Sequence, residues 1–113
     1  MVLIDITGIS DSGLRSRNAR YRIREKLVSL FTNEGVPEEK VLIHFHREDE
    51  TQIRPAPLVA RASSAAFTNM KADRRERLAN EVLEILELAG HSDSFVFFEA
   101  ALTMAGRRAP QFA

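Results

Sequence analysis

His44 and His46 stand two residues apart, with Glu48 two further on. Successive side chains of an extended chain point to opposite faces, so all three would share one face of a strand. Two imidazoles and a carboxylate suit a divalent metal ion. A short His-x-His segment is common, though, and no distant fourth ligand is evident. The three residues therefore read as surface or interface groups of a strand end, and no metal or other cofactor is expected. Arg61 interrupts a stretch of small apolar residues. It is either one half of an edge or interface ion pair or a clamp for a carboxylate substrate, which a bidentate guanidinium fits well. Arg54, Arg107 and Arg108 sit in irregular segments and are weaker versions of the same idea. Glu99 has the chemistry of a carboxylate base, but at a strand end it reads as solvated. The chain has no cysteine, so disulfides, thiolate catalysis and cysteine-based metal sites are excluded.

Arg15, Arg17, Arg20, Arg22, Arg24 and Lys26 make one segment strongly basic. A nucleic-acid surface would need such a stripe. The whole chain nevertheless carries sixteen Lys and Arg against sixteen Asp and Glu, so it has no net field to draw in a polyanion or an anionic lipid. The stripe reads as a solvated helix face paired with acidic neighbours such as Glu25 and Glu34. No nucleic acid is expected as a partner. A net charge of zero also limits repulsion between copies, which favours self-association.

These groups are positioned by a simple succession of elements. Val2–Thr7 is a short apolar run closed by Gly8 and Gly13, a strand followed by a loop. From Leu14 to Glu34 the period changes to that of a helix, with Ala19, Ile23, Leu27, Leu30 and Phe31 on one face. Gly35 and Pro37 end it. Val41–His46 alternates, with Val41, Ile43 and Phe45 on one side and Leu42, His44 and His46 on the other. After a polar connection, Leu58–Phe67 reads as a third strand. Ala72–Ala89 reads as a second helix with Leu78, Val82, Ile85, Leu86 and Ala89 on its apolar face, opened by a capping box of Asp73 and Glu76 and stopped by Gly90. Phe95–Glu99 is the fourth strand, and Phe95, Phe97, Phe98 and Phe112 read as core or subunit contacts.

A shift of about 55 positions maps Ile23 onto Leu78, Leu27 onto Val82, Leu30 onto Ile85, Phe31 onto Leu86, Gly35 onto Gly90 and Val41 onto Val96. Apolar positions coincide while surface positions do not, which is the mark of a duplicated unit. The predicted fold is α+β: two β-α-β repeats, about 1–48 and 57–102, forming a four-stranded sheet with two helices on one face in a single domain of 113 residues. The uncovered face of such a sheet is a candidate subunit interface. The start, Met1-Val2-Leu3-Ile4-Asp5, has no basic region and reads as a strand instead of a signal peptide. No stretch approaches the roughly 20 apolar residues of a membrane span. No membrane partner is expected, and a cytoplasmic location is.

With this layout, the chain resembles the tautomerase superfamily, and within it the branch of macrophage migration inhibitory factor and 5-carboxymethyl-2-hydroxymuconate isomerase. The resemblance covers nearly the whole length. It rests on the two β-α-β units, the Gly35-Val36-Pro37 break, the Pro57-Leu58-Val59 entry to the third strand, and Gly106 followed by Gln111-Phe112-Ala113. It implies a homotrimer whose sheets surround a central channel, with active sites at subunit boundaries. It also implies a terminal proline whose secondary amine, kept neutral by an apolar pocket, shuttles a proton. Here Val2 stands in that place behind Met1, so the corresponding catalytic group would be the terminal amine at Met1 or Val2. A basic residue expected after the helix-ending glycine is Val36, and a polar pair expected on the fourth strand is replaced by Val96, Phe97 and Phe98. By this resemblance a small carboxylate substrate would meet Arg61, Arg107, Arg108, Val36 and Phe97. The implied function is a diverged isomerase or tautomerase acting on small carboxylated keto–enol or unsaturated acids. The alternative is a catalytically silent trimeric relative with a binding or structural role.

Overall fold

The computed structural model describes residues 1–9, 14–46, 57–90 and 93–100. Strand β1 (Val2–Thr7) is followed by helix α1 (Leu14–Asn33), strand β2 (Val41–Phe45), strand β3 (Leu58–Ser63), helix α2 (Ala72–Leu86) and strand β4 (Ser94–Glu99). The four strands form one sheet in the order β2-β1-β3-β4. Within each half the strands are parallel, β1 with β2 and β3 with β4. The halves meet at β1 and β3, which are antiparallel. Parallel neighbours need a crossover, and each helix supplies one.

Alternation decides which face is covered. Val2, Ile4 and Ile6 of β1 and Leu58, Ala60 and Ala62 of β3 are buried against Ile23, Leu27 and Phe31 of α1 and Leu78, Val82 and Leu86 of α2. Leu3, Asp5, Thr7, Val59, Arg61 and Ser63, one residue out of phase, lie on the other face. That face carries no helix among the described residues. Among the same residues, no helix is long and apolar enough to cross a membrane.

The internal repeat is visible in the burial. Ile23 and Leu78, Leu27 and Val82, and Phe31 and Leu86 are all buried. Gly35 and Gly90 adopt φ of 96° and 77°, left-handed conformations that cost a glycine little and that turn the chain out of each helix. The strands are less strict. Val2 pairs with Val41, whereas its counterpart Leu58 pairs with Ser94, two residues short of Val96. A slip of two residues keeps every side chain on its face.

Three local expectations are corrected. The third strand ends at Ser63, not at Phe67, because the buried Ser64 hydroxyl accepts the Ala66 N–H at 3.2 Å and opens a 3₁₀ turn over Ala65–Asn69. That turn puts Phe67 into the core, where its ring stacks on Phe98 (4.7 Å between centroids) and lies tilted against Phe31 (6.5 Å). The last turn of the second helix tightens to 3₁₀ geometry at Glu87–Ala89. No Asp73–Glu76 capping box forms: Lys71 occupies the cap position, and the Asp73 carboxylate accepts the adjacent Arg74 N–H at 2.9 Å. Arg74 instead joins the helices through Glu34. On α1, Arg24 stacks over the Phe45 ring, 5.5 Å from its centroid. The Tyr21 phenol is pushed above its ordinary range, chiefly by its hydrogen bond to Glu25 and then by that residue's charge.

A candidate functional site on the open sheet face

The side chains that could do chemistry collect on the uncovered face. In the strand register, His44 lies opposite Asp5, Asp5 opposite Arg61, and Arg61 opposite Phe97. One row of four residues thus crosses the whole sheet. Asp5 and Arg61 are the middle pair of the antiparallel β1–β3 contact, so the approximate twofold relating the halves passes between them. By the same register His44 corresponds to Phe97 and His46 to Glu99.

Each inner charge is satisfied by the outer strand of its own half. Oδ1 of Asp5 lies 3.2 Å from Nε2 of His46 and 3.7 Å from Nδ1 of His44. Arg61 donates from Nε at 3.0 Å and from Nη2 at 2.6 Å to Oε1 of Glu99. Ser63 donates its hydroxyl to Oε2 of the same carboxylate at 3.2 Å. The two imidazole rings meet edge to face, 4.5 Å apart. All of these groups are partly exposed, so each pair stabilises the fold by no more than about 1 kcal/mol. A polar cavity of about 370 Å³ runs along the same diagonal, lined by Asp5, Thr7, His46, Val59, Arg61, Ser63 and Glu99.

The residues singled out from the sequence separate into two groups. Arg61 and Phe97 are neighbours on the open face, and Phe97 is 53% exposed. Val2 is 1% exposed and points into the core beneath the helices, while Met1 before it is 42% exposed. Val36 also packs on the core side, with its N–H donated to the Phe31 carbonyl at 3.0 Å. The side chains of Val2 and Val36 are therefore on the opposite side of the sheet from Arg61 and Phe97. Glu48, Arg54, Arg107, Arg108 and Phe112 lie outside the described residues. Phe98 is partly buried and packs against the core, whereas Phe95 and Phe97 are exposed.

Sequence reasoning missed Asp5, the group on which both histidines converge. A single charge inside an apolar strand is a signal that the residue sits on the solvent face. Its neighbours, however, follow from the parallel register, which alternation alone does not supply.

No protein-family model and no curated protein matches the sequence. Solved structures do match. N1, a member of the cis-3-chloroacrylic acid dehalogenase family, is similar with a TM-score of 0.70 at 13% identity, over 96% of this chain and 84% of that one. The macrophage migration inhibitory factor-like protein of Entamoeba histolytica gives 0.65 at 15% identity, over 88% of both chains. A fused 4-OT protein, solved as a symmetric trimer, gives 0.68 at 11% identity, over 88% of this chain and 85% of that one. The chain has the tautomerase-superfamily fold. At these identities the likeness is one of backbone, and the site chemistry must be argued from this chain's own residues.

Proposed function

We propose that this chain is a trimeric tautomerase-fold protein with a binding or structural role, which does not use proline-based proton transfer and whose copies assemble through the open sheet face. The observation that carries this reading is the make-up of that face. Leu42, Phe95 and Phe97 are 46%, 52% and 53% exposed there, beside charges already paired within the chain. Exposed apolar side chains on both outer strands, flanking inner charges that already have partners, suit a subunit contact. Two further points agree with it. Fused 4-OT proteins of the same fold are described as symmetric and asymmetric trimers. Strand β1 contains no proline, and Val2 at its start is a core residue.

Light scattering coupled to gel filtration tests the assembly. A mass of three chains is expected, and Phe97→Glu should shift it toward one chain with unchanged circular dichroism. A single-chain mass at every concentration would overturn the proposal.

A second reading is favoured by the cavity beside Arg61: a diverged isomerase acting on a small carboxylated keto–enol or unsaturated acid. In that reading Arg61 holds the carboxylate beside Phe97 and the terminal amine at Met1 moves the proton, while Val2 and Val36, whose side chains lie on the other face of the sheet, do not line the site. An incoming carboxylate would have to displace Glu99 from Arg61. Assays with phenylpyruvate and 2-hydroxymuconate separate the two readings. Negligible tautomerisation is expected, and robust turnover that falls with Arg61→Ala would establish the enzyme instead.

A further inference from the structure

We propose that Asp5, His44 and His46 form a binding site for a divalent transition-metal ion of the zinc type. The geometry comes first. One carboxylate oxygen faces both imidazoles, at 3.2 and 3.7 Å, and the three ligand atoms all lie within 4.8 Å of one another. Metal bonds of 2.0–2.1 Å in a tetrahedral site put neighbouring ligand atoms about 3.3 Å apart. Two edges of that triangle are thus already near the required length. The third closes by rotation of two side chains on the outer strand that, within a single chain, are 64% and 45% exposed and so have room to turn.

The donor set selects the ion. Two imidazoles and one carboxylate suit zinc, cobalt, nickel and copper, whereas calcium and magnesium prefer oxygen alone. The carboxylate offsets one of the two positive charges. The cation opposite Asp5, Arg61, would repel a metal, but Glu99 holds and neutralises it. The cavity reaching Asp5 and His46 leaves space for water or an anion to complete the coordination.

The fold itself does not call for these residues. At the corresponding positions of the second half stand Arg61, Phe97 and Glu99, which cannot bind a cation in this way. The ligands are a property of this sequence's first half.

The test uses the full chain without a histidine tag, stripped of metal by a chelator. Cobalt(II) titration is followed by visible absorption and zinc(II) titration by calorimetry. One ion per chain is expected. Each of Asp5→Asn, His44→Gln and His46→Gln should weaken binding by roughly 100-fold, at or beyond the upper end of what losing an outer-shell partner costs. His91→Gln, which removes the third histidine of the chain, should leave it unchanged. All three ligands are at least partly exposed, so the variants should fold, and circular dichroism confirms it. Should the Asp5 variant fail to fold, the two histidine variants carry the test. Absence of saturable binding, binding unaffected by His44→Gln and His46→Gln, or binding abolished by His91→Gln would each overturn the proposal.

Discussion

In the first half of the molecule the inner strand carries the acid, Asp5, and the outer strand the bases, His44 and His46. In the second half the inner strand carries the base, Arg61, and the outer strand the acid, Glu99. Beneath this inversion the helices bury matched residues: Ile23 with Leu78, Leu27 with Val82, Phe31 with Leu86. The contrast shows what each face of the sheet demands. Apolar burial is non-directional and scales with area, so any side chain of fitting volume serves and the repeat persists. The open face requires only that each charge find a partner. Either sign can occupy either strand, and the chemistry is free to diverge.

The largest expected effect sharpens the comparison at the point where the halves join. Phe67 packs between Phe31 of the first half and Phe98 of the second. Phe67→Ala should cost about 3–5 kcal/mol by urea denaturation, and should do so in one cooperative transition. Two separate transitions would mean that the halves unfold independently. Next come the matched helix positions. Ile23→Ala and Leu78→Ala should each cost about 2–5 kcal/mol, with similar values for the two. A near-zero cost at one of them would break the equivalence that the burial implies.

On the open face the effects on monomer stability shrink. Phe97→Ala removes a half-exposed ring and should lower stability by about 1 kcal/mol or less in the separated chain, while weakening assembly markedly. Equal stability and equal mass distribution in wild type and variant would deny Phe97 an interface role. Smallest of all is Glu99→Gln, which in the separated chain breaks a solvent-screened pair and should change its stability by under about 1 kcal/mol. A larger loss in the assembled protein than in the separated chain would mean that a covering subunit shields the pair from water.

Much of the architecture was legible before any coordinates. Helix periodicity and glycine stops placed both helices to within a few residues, because a buried stripe and a chain reversal leave direct marks in residue type. The third strand is shorter than its apolar run, since the Ser64 turn that ends it rests on a side-chain hydrogen bond and not on hydrophobicity. The capping box failed because residue types compatible with a cap do not ensure that the helix begins there. At the candidate site, alternation puts His44 and His46 on one face, and residue type alone leaves Arg61 between an ion pair and a clamp. The ion pair is the arrangement seen.

Local pattern therefore determined, on its own, the kinds of element, the buried positions and the duplication, because each depends on how neighbours in the chain alternate between water and core. Which charge meets which was decided only in three dimensions. Asp5 is separated from His46 by the whole of α1, and Arg61 from Glu99 by the whole of α2. Crossover connections and strand register bring those pairs to within hydrogen-bonding range, and no spacing along the chain encodes that distance.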